Sequence, residues 1–258
     1  MTMLSRRAVC GMLPLAVGAL TMGTKVARAD DMKIVYFNAF PPVSFDNDAH
    51  QISGILPDMM TEILGNRMKL PITMQGMPWA RAQASVQDGS ADAFCTLITP
   101  PRLEYAVFTK NPVITLKINL FYAVDNPRRA EIEAIRTVDQ LKGFRQGDYV
   151  GDGFAEATFK GLPIDYTPTL ESTFKKIEAG RTDMFVGTDL VGKGVVKQLG
   201  LGDKIKDFQV DIGQPSAFNI GLRKSYPDIT AVLAKADEAI EAAQKDGTLA
   251  KITAKYTS

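Results

Sequence analysis

Between Lys33 and Leu97 short β-rich runs alternate with stretches of helical pattern, and this alternation constrains the fold of the 258-residue chain more than any other feature. Lys33–Phe37 (KIVYF) reads as the first strand. Asn38-Ala39-Phe40-Pro41-Pro42 breaks it, because two prolines bar a helix or a central strand, and predicts a rigid loop. A turn over residues 45–54 leads into a helix from Pro57 to about Met68, with Met60, Ile63 and Leu64 on one face and Pro57 in the first turn. Ile72–Met77 is a second strand. Trp79 opens an alanine-rich helix that Gly89 ends, and the apolar run Ala91–Leu97 is a buried third strand. Strand, helix, strand, helix, strand in sequence implies an α/β fold: a parallel sheet covered by helices.

The same plan recurs later. AQASVQDGSADAF and FKKIEAGRTDMFV share the order helix, Gly-x-x-Asp, apolar strand, which predicts two lobes of similar construction. The second half of Val113–Val124 reads as a strand leaving the first lobe, and the charged stretch 125–135 as a surface connection. Val138–Gly143 predicts a short helix. Gly147, Gly151 and Gly153 punctuate a loop that opens the helix Phe154–Lys160. Leu170–Gly180 is a helix, Asp183–Gly187 a buried strand, and Leu190–Leu199 a helix that Gly192 and Gly194 weaken. Phe218, Ile220 and Leu222 alternate as in a strand. Ile229, Val232, Leu233, Ala236 and Ile240 recur at helical spacing, and a last helix covers Leu249–Tyr256.

Residues 1–29 read as an export signal. Arg6 and Arg7 precede an apolar core, Cys10 to Met22, too short to span a bilayer as an anchor, and Ala27-Arg28-Ala29 is a cleavage site. Ser5-Arg6-Arg7 partly matches a twin-arginine signal, so Tat and Sec export both stay open. Four of the 30 basic residues and none of the 29 acidic ones lie in this segment, so the remainder carries a net charge of −3. No basic stripe points to nucleic acid. Cys95 alone survives cleavage and makes no internal disulfide; in its apolar strand it reads as an inert buried thiol. No later stretch of about 20 apolar residues predicts a membrane span.

The chemistry concentrates between Pro78 and Tyr105. There an aromatic plate, Trp79, precedes the apolar strand, and Thr99-Pro100-Pro101-Arg102 follows it. An arginine just past a strand end holds a fixed cation at a sheet edge and suits a small ligand with a carboxylate. Thr99 reads as a helix N-cap. No nucleophile, metal or phosphate-loop constellation is present: the only histidine, His50, lies in a polar turn, and nothing calls for a cofactor or metal.

Six short motifs, in this order and spacing, give the chain a family likeness: Phe40-Pro41-Pro42-Val43-Ser44-Phe45 with Gly54 beyond; Val86-Gln87-Asp88-Gly89-Ser90-Ala91-Asp92; Thr99-Pro100-Pro101-Arg102; Leu141-Lys142-Gly143; Glu178-Ala179-Gly180-Arg181-Thr182-Asp183; and Asp246-Gly247-Thr248-Leu249-Ala250-Lys251-Ile252. Over nearly all of residues 33–257 it resembles the extracytoplasmic solute-binding proteins of amino-acid type, family 3, the substrate-binding components of ABC transporters. The resemblance implies a two-lobed type II periplasmic-binding-protein fold. Each lobe is then a mostly parallel sheet flanked by helices, with two hinge crossings near Phe121–Val124 and Ser216–Leu222. Residues 30–122 and 217–258 form lobe I, residues 123–216 lobe II, and the lobes close on a ligand by hinge rotation.

The resemblance also implies site residues. Arg102 grips a carboxylate with its planar fork. Phe40 and Trp79 flank the ligand's side chain. Thr96 and Leu97 offer hydroxyl or backbone groups, although the segment from Asp92 to Arg102 is shorter than usual. In lobe II the Gly151-Asp152-Gly153 turn carries an aspartate where relatives carry Ser or Thr; Asp152 either caps the helix or holds an ammonium group. The acid expected after the second Gly-x-x-Asp strand is displaced: Thr188 stands in its place and Asp189 follows. The implied function is capture of a small polar, amino-acid-like ligand by a periplasmic monomer and delivery to an ABC permease, without catalysis. Two alternatives stay open, a cyclohexadienyl-dehydratase-like enzyme using Asp152, Glu156 or Asp189, and a sensory partner presenting ligand to a receptor.

Overall fold

The computed structural model describes residues 31–213 and 216–257; the expected export signal, residues 1–29, lies outside the described residues. The chain starts with β1 (Met32–Phe37). Three short strands, β2 (Ala39–Phe40), β3 (Ser44–Asp46) and β4 (Ile52–Ser53), then form a small antiparallel sheet. α1 (Ile55–Met60) runs on into a π-helical stretch, Thr61–Arg67. There follow β5 (Ile72–Met77), α2 (Trp79–Asp88), β6 (Ala93–Thr96), α3 (Pro100–Leu103), β7 (Ala106–Phe108), β8 (Ile114–Leu116) and β9 (Ile118–Ala123). The second half contains α4 (Arg129–Glu133), a 3-10 turn at Val138–Leu141, β10 (Gln146–Tyr149), α5 (Gly153–Thr158), β11 (Ile164–Thr167), α6 (Leu170–Glu178), β12 (Met184–Thr188), α7 (Asp189–Gln198) and β13 (Ile205–Gln209). β14 (Ser216–Arg223), α8 (Ile229–Lys245) and α9 (Thr248–Thr257) close the chain.

Two sheets organise these elements. The first has the order β5-β1-β6-β14-β7, with β8 also on β14; the second has the order β11-β10-β12-β9-β13. Each contains three parallel strands, β5-β1-β6 and β11-β10-β12, followed by an antiparallel strand, β14 or β9. The repeated sequence motif falls on equivalent places, since α2–β6 and α6–β12 both supply the third parallel strand. The C-terminal helices return to the first lobe. Arg67 bridges to Asp246 at 2.7 Å, and Asp58 accepts from Lys255 and Tyr256 at 2.7 and 2.8 Å.

In the second sheet three strands escape the sequence reading. β10 is hidden by Gly147, whose missing side chain lets Thr173 and Thr182 pack against the sheet: a Cβ there would lie 2.7 Å from Thr182 Cγ2. β11 and β13 are short and half-polar, at or next to the sheet edge. The first crossing also comes earlier than expected. β8 ends at Leu116 in the first sheet and β9 begins at Ile118 in the second, so the chain changes sheets at Lys117, not at 121–124. All six residues of β9 are buried, as pairing on both edges requires. The two glycines of α7 do not break it. Each admits a close neighbour, the ring of Phe121 at Gly192 and the Pro41 carbonyl at Gly194.

The aspartate of each Gly-x-x-Asp motif has a mechanical task. The Asp92 amide donates to the Lys33 carbonyl at 2.9 Å, and its Oδ2 accepts from the Lys33 amide at 2.9 Å. Asp183 does the same with Arg145, at 2.8 Å in both directions, and its Oδ1 takes Arg145 Nη2 at 2.8 Å. Each aspartate thus ties the start of the third parallel strand to the start of the central one. Asp92→Ala and Asp183→Ala each remove the side-chain acceptor of a strand-end amide, Lys33 or Arg145, and should cost about 0.5–1.5 kcal/mol, read as a lower urea midpoint at unchanged slope.

Candidate functional site

The C-terminal ends of the parallel strands of both sheets point at one cleft, as in open α/β sheets generally. β1 delivers Phe37, the start of α2 delivers Trp79, β6 delivers Thr96 and Leu97, β10 delivers Tyr149 and β12 delivers Thr188. The cleft encloses about 610 Å³ of atom-free space, its mouth included. Most of its wall is aromatic or aliphatic. Phe40, Leu56, Phe154, Phe185 and Phe218 complete the apolar lining; Ser44, Arg102, Asp152 and Ser216 add polar groups to the two threonines.

Arg102 is 3% exposed and stands in α3, whose first turn Pro100 and Pro101 preorganise. Its Nε donates to Gln83 Oε1 at 2.9 Å and its Nη1 to the Leu97 carbonyl at 3.0 Å. The guanidinium lies 5.2 Å from the centre of the Trp79 ring. Among the described residues no carboxylate pairs with it. Burial pulls its pKa down, while Tyr105, Asp152, Tyr149 and Glu156 oppose that pull. Gly153, across the cleft, makes room for it, since a Cβ there would sit 2.8 Å from Nη1.

Trp79 joins the two lobes. Its indole N–H donates to the Gly151 carbonyl at 2.9 Å. Beside it Phe37 stacks on Tyr149 with ring centres 5.6 Å apart, and Phe40 lies 6.1 Å from Tyr149. Asp152 caps α5, its Oδ1 accepting from the Phe154 amide at 2.8 Å. Burial raises its carboxyl pKa against the opposing pull of that amide and of Arg102. Cys95 stands in the cleft wall with its thiol pushed up by burial, which keeps it protonated and unreactive.

Of the residues expected from sequence, the structure brings together Phe40, Trp79, Thr96, Leu97, Arg102, Asp152 and Thr188. Gly151 contributes through its carbonyl to Trp79, not as lining. Asp189 does not line the cleft: it begins α7, where its amide donates to the Lys117 carbonyl at 2.9 Å. Thr99 holds the N-cap position of α3, but its hydroxyl makes no cap bond, and it lines a neighbouring groove beyond Leu97 and Phe154. Phe37, Tyr149, Phe185, Ser216 and Phe218 were not anticipated. Phe37, Phe185 and Phe218 all sit in predicted strands, and for Phe37 the position at the strand's C-terminal end is the signal. Tyr149 belongs to the strand that was missed.

The profile of the bacterial extracellular solute-binding proteins, family 3, matches residues 32–258. The chain belongs to that family. It is 24% identical over 202 residues to the probable amino-acid-binding protein YxeM of Bacillus subtilis (strain 168), spanning 76% of this chain and 72% of that one. Among solved structures it is similar to an ancestral arginine-binding protein bound to arginine: 21% identity, TM-score 0.72, 88% of this chain and 98% of that chain. It is also similar to a histidine kinase sensor domain with similarity to periplasmic binding proteins: 18% identity, TM-score 0.72, 88% and 96% coverage. The fold is the type II periplasmic-binding-protein fold, two α/β lobes around a cleft. Among the described residues no helix of this family member is long and apolar enough to cross a membrane.

Trp79→Phe keeps a ring in the cleft and removes its donor. It should weaken the lobe-to-lobe contact by about 1 kcal/mol, seen as a larger radius of gyration in small-angle scattering with secondary structure unchanged. An unchanged radius would mean that the stacked rings alone hold the lobes together.

Proposed function

We propose that the cleft captures one small amino-acid-like solute and that the protein, exported to the periplasm as a monomer, delivers it to an ABC permease. The observation that carries this reading is the Arg102 guanidinium, buried in the cleft wall between the lobes without an ion pair among the described residues. A buried cation is costly unless it is compensated. A ligand carboxylate compensates it, and the guanidinium fork can hold both oxygens. On the opposite lobe Asp152 offers a carboxylate to the ligand's ammonium group, and Thr96, Leu97 and Thr188 add polar contacts. Phe37, Phe40, Trp79 and Tyr149 would take the side chain by stacking, worth about 0.5–1.5 kcal/mol beyond burial for a flat partner. The largely apolar lining favours an apolar or aromatic side chain over a second charge.

Three facts support binding over turnover. Glu156 is exposed on α5, Asp189 is off the cleft, and Asp152 is engaged as a helix cap. The relative YxeM bears an amino-acid-binding name, and the ancestral protein was solved with arginine bound, both in keeping with this reading. Binding then works by population shift, the ligand favouring the form in which both lobes touch it.

A thermal-shift screen over amino acids, polyamines, small organic acids and quaternary amines tests the proposal. A true ligand should raise stability by about 2.7 kcal/mol at a hundredfold excess over its Kd. Arg102→Ala should abolish stabilisation by a carboxylate ligand while the protein stays folded, because the change also removes a buried charge. Undiminished affinity in that variant would rule out the carboxylate clamp.

A further inference from the structure

Two glycines, Gly192 and Gly194, stand in the middle of α7, where glycine is among the poorest of helix formers. Gly192 has a reason inside its own lobe. A Cβ there would lie 2.1 Å from the Phe121 ring, so its absence lets α7 lie close on β9. Gly194 has no such reason. The three atoms nearest to the place of its Cβ all belong to the first lobe: the Pro41 carbonyl oxygen at 2.2 Å, the Pro41 carbonyl carbon at 2.7 Å and Pro42 Cδ at 3.0 Å. Any side chain at position 194 would meet the main chain of the loop between β2 and β3.

Both partners of this contact are fixed in place. The Val43 amide closes the loop by donating to the Phe40 carbonyl at 2.8 Å. The Ile55 and Leu56 amides tie it to the start of α1, donating to the Pro42 and Val43 carbonyls at 3.1 and 2.9 Å. Val191 and Val195, both buried, hold α7 on the second sheet. The rest of the lobe contact agrees. Gly153 leaves room for Arg102 at 2.8 Å, and Gly151 for Trp79 and Gln83 at 3.2 Å, so three glycines of the second lobe seat groups of the first. Gly151 has a second reason in its left-handed φ of 87°, and Arg102 presents the movable end of a side chain. Of the three, Gly194 alone faces main chain. Buried residues of the first lobe, Phe40 among them, also form one apolar cluster with Tyr149, Phe185, Val191 and Val195 of the second.

We propose that Gly194 is a positioning residue that sets how far the lobes close, its bare Cα seating the Pro41 carbonyl, and that the chain's own contacts reach this closed arrangement without a ligand. The seat and the Trp79–Gly151 hydrogen bond hold the second lobe at two places. Together they fix the gap between Arg102 on one wall and Asp152 on the other. A methyl group on Gly194 wedges the lobes apart and widens that gap, although neither Gly194 nor Pro41 lines the cleft.

Gly194→Ala tests this, because alanine is the better helix former and adds only the methyl group. Gly194→Leu enlarges the wedge. Gly192→Ala is the control, with its new methyl group against Phe121 inside the second lobe. In small-angle scattering of the ligand-free proteins, Gly194→Ala should show a larger radius of gyration than wild type and Gly194→Leu a larger one still. Both should keep the helix content of wild type by circular dichroism. Gly192→Ala should lower the urea midpoint and leave the radius unchanged. With an equimolar mixture of the proteinogenic L-amino acids as probe, Gly194→Ala should bind about tenfold more weakly than wild type, as overpacking by one methyl group implies. A Gly194→Ala protein with the radius of wild type overturns the proposal, as does one that binds the mixture as tightly as wild type. No response of wild type to the mixture would defeat the amino-acid reading and leave this proposal to be decided by the scattering result.

Discussion

A single buried guanidinium sets the terms for the rest of this molecule. Arg102 gives up most of its hydration, and within the protein it receives a side-chain amide oxygen, a main-chain carbonyl and the face of an indole ring. None of these carries a full negative charge. Among the described residues further compensation comes through space from Asp152 and Glu156. The elements around it are arranged to hold that cation still: two prolines stiffen its turn, Gln83 on α2 fixes its Nε, and Gly153 on the other lobe leaves space for its tip.

The two-lobed construction follows from the same economy of parts. Three parallel strands in each sheet end at the cleft, and an antiparallel strand, β14 or β9, lies beside them with shorter strands beyond it. Within each lobe an aspartate locks the third strand to the central one by paired main-chain and side-chain bonds. Stiff lobes allow a few contacts at their mouths to decide how they meet. The Trp79–Gly151 hydrogen bond and the Phe37–Tyr149 stack are such contacts.

The repeated helix, Gly-x-x-Asp, strand pattern was legible because it is local. Gly89 takes a left-handed φ of 84° at the end of α2, and an apolar run follows at once in both copies. Arg102 and Trp79 were legible because they flank the apolar strand Ala91–Leu97, and Phe40 through the family likeness of its loop. β10 was not, since Gly147 and two buried polar residues, Gln146 and Asp148, suppress the apolar pattern by which strands are recognised. With it went Tyr149. Asp189 was expected in the cleft from the family resemblance, one residue late; the turn into α7 gives that place to Thr188.

The sequence by itself determined the layered α/β class, the duplicated plan, the family and the cation at the first lobe's edge. Those depend on periodicity and on residues near one another in the chain. Only the tertiary structure decided which side chains share the cleft and where the chain changes sheets. Such facts depend on groups far apart in sequence, such as Trp79 and Gly151 or Arg102 and Gly153, whose meeting is fixed by how two sheets pack and not by any local preference.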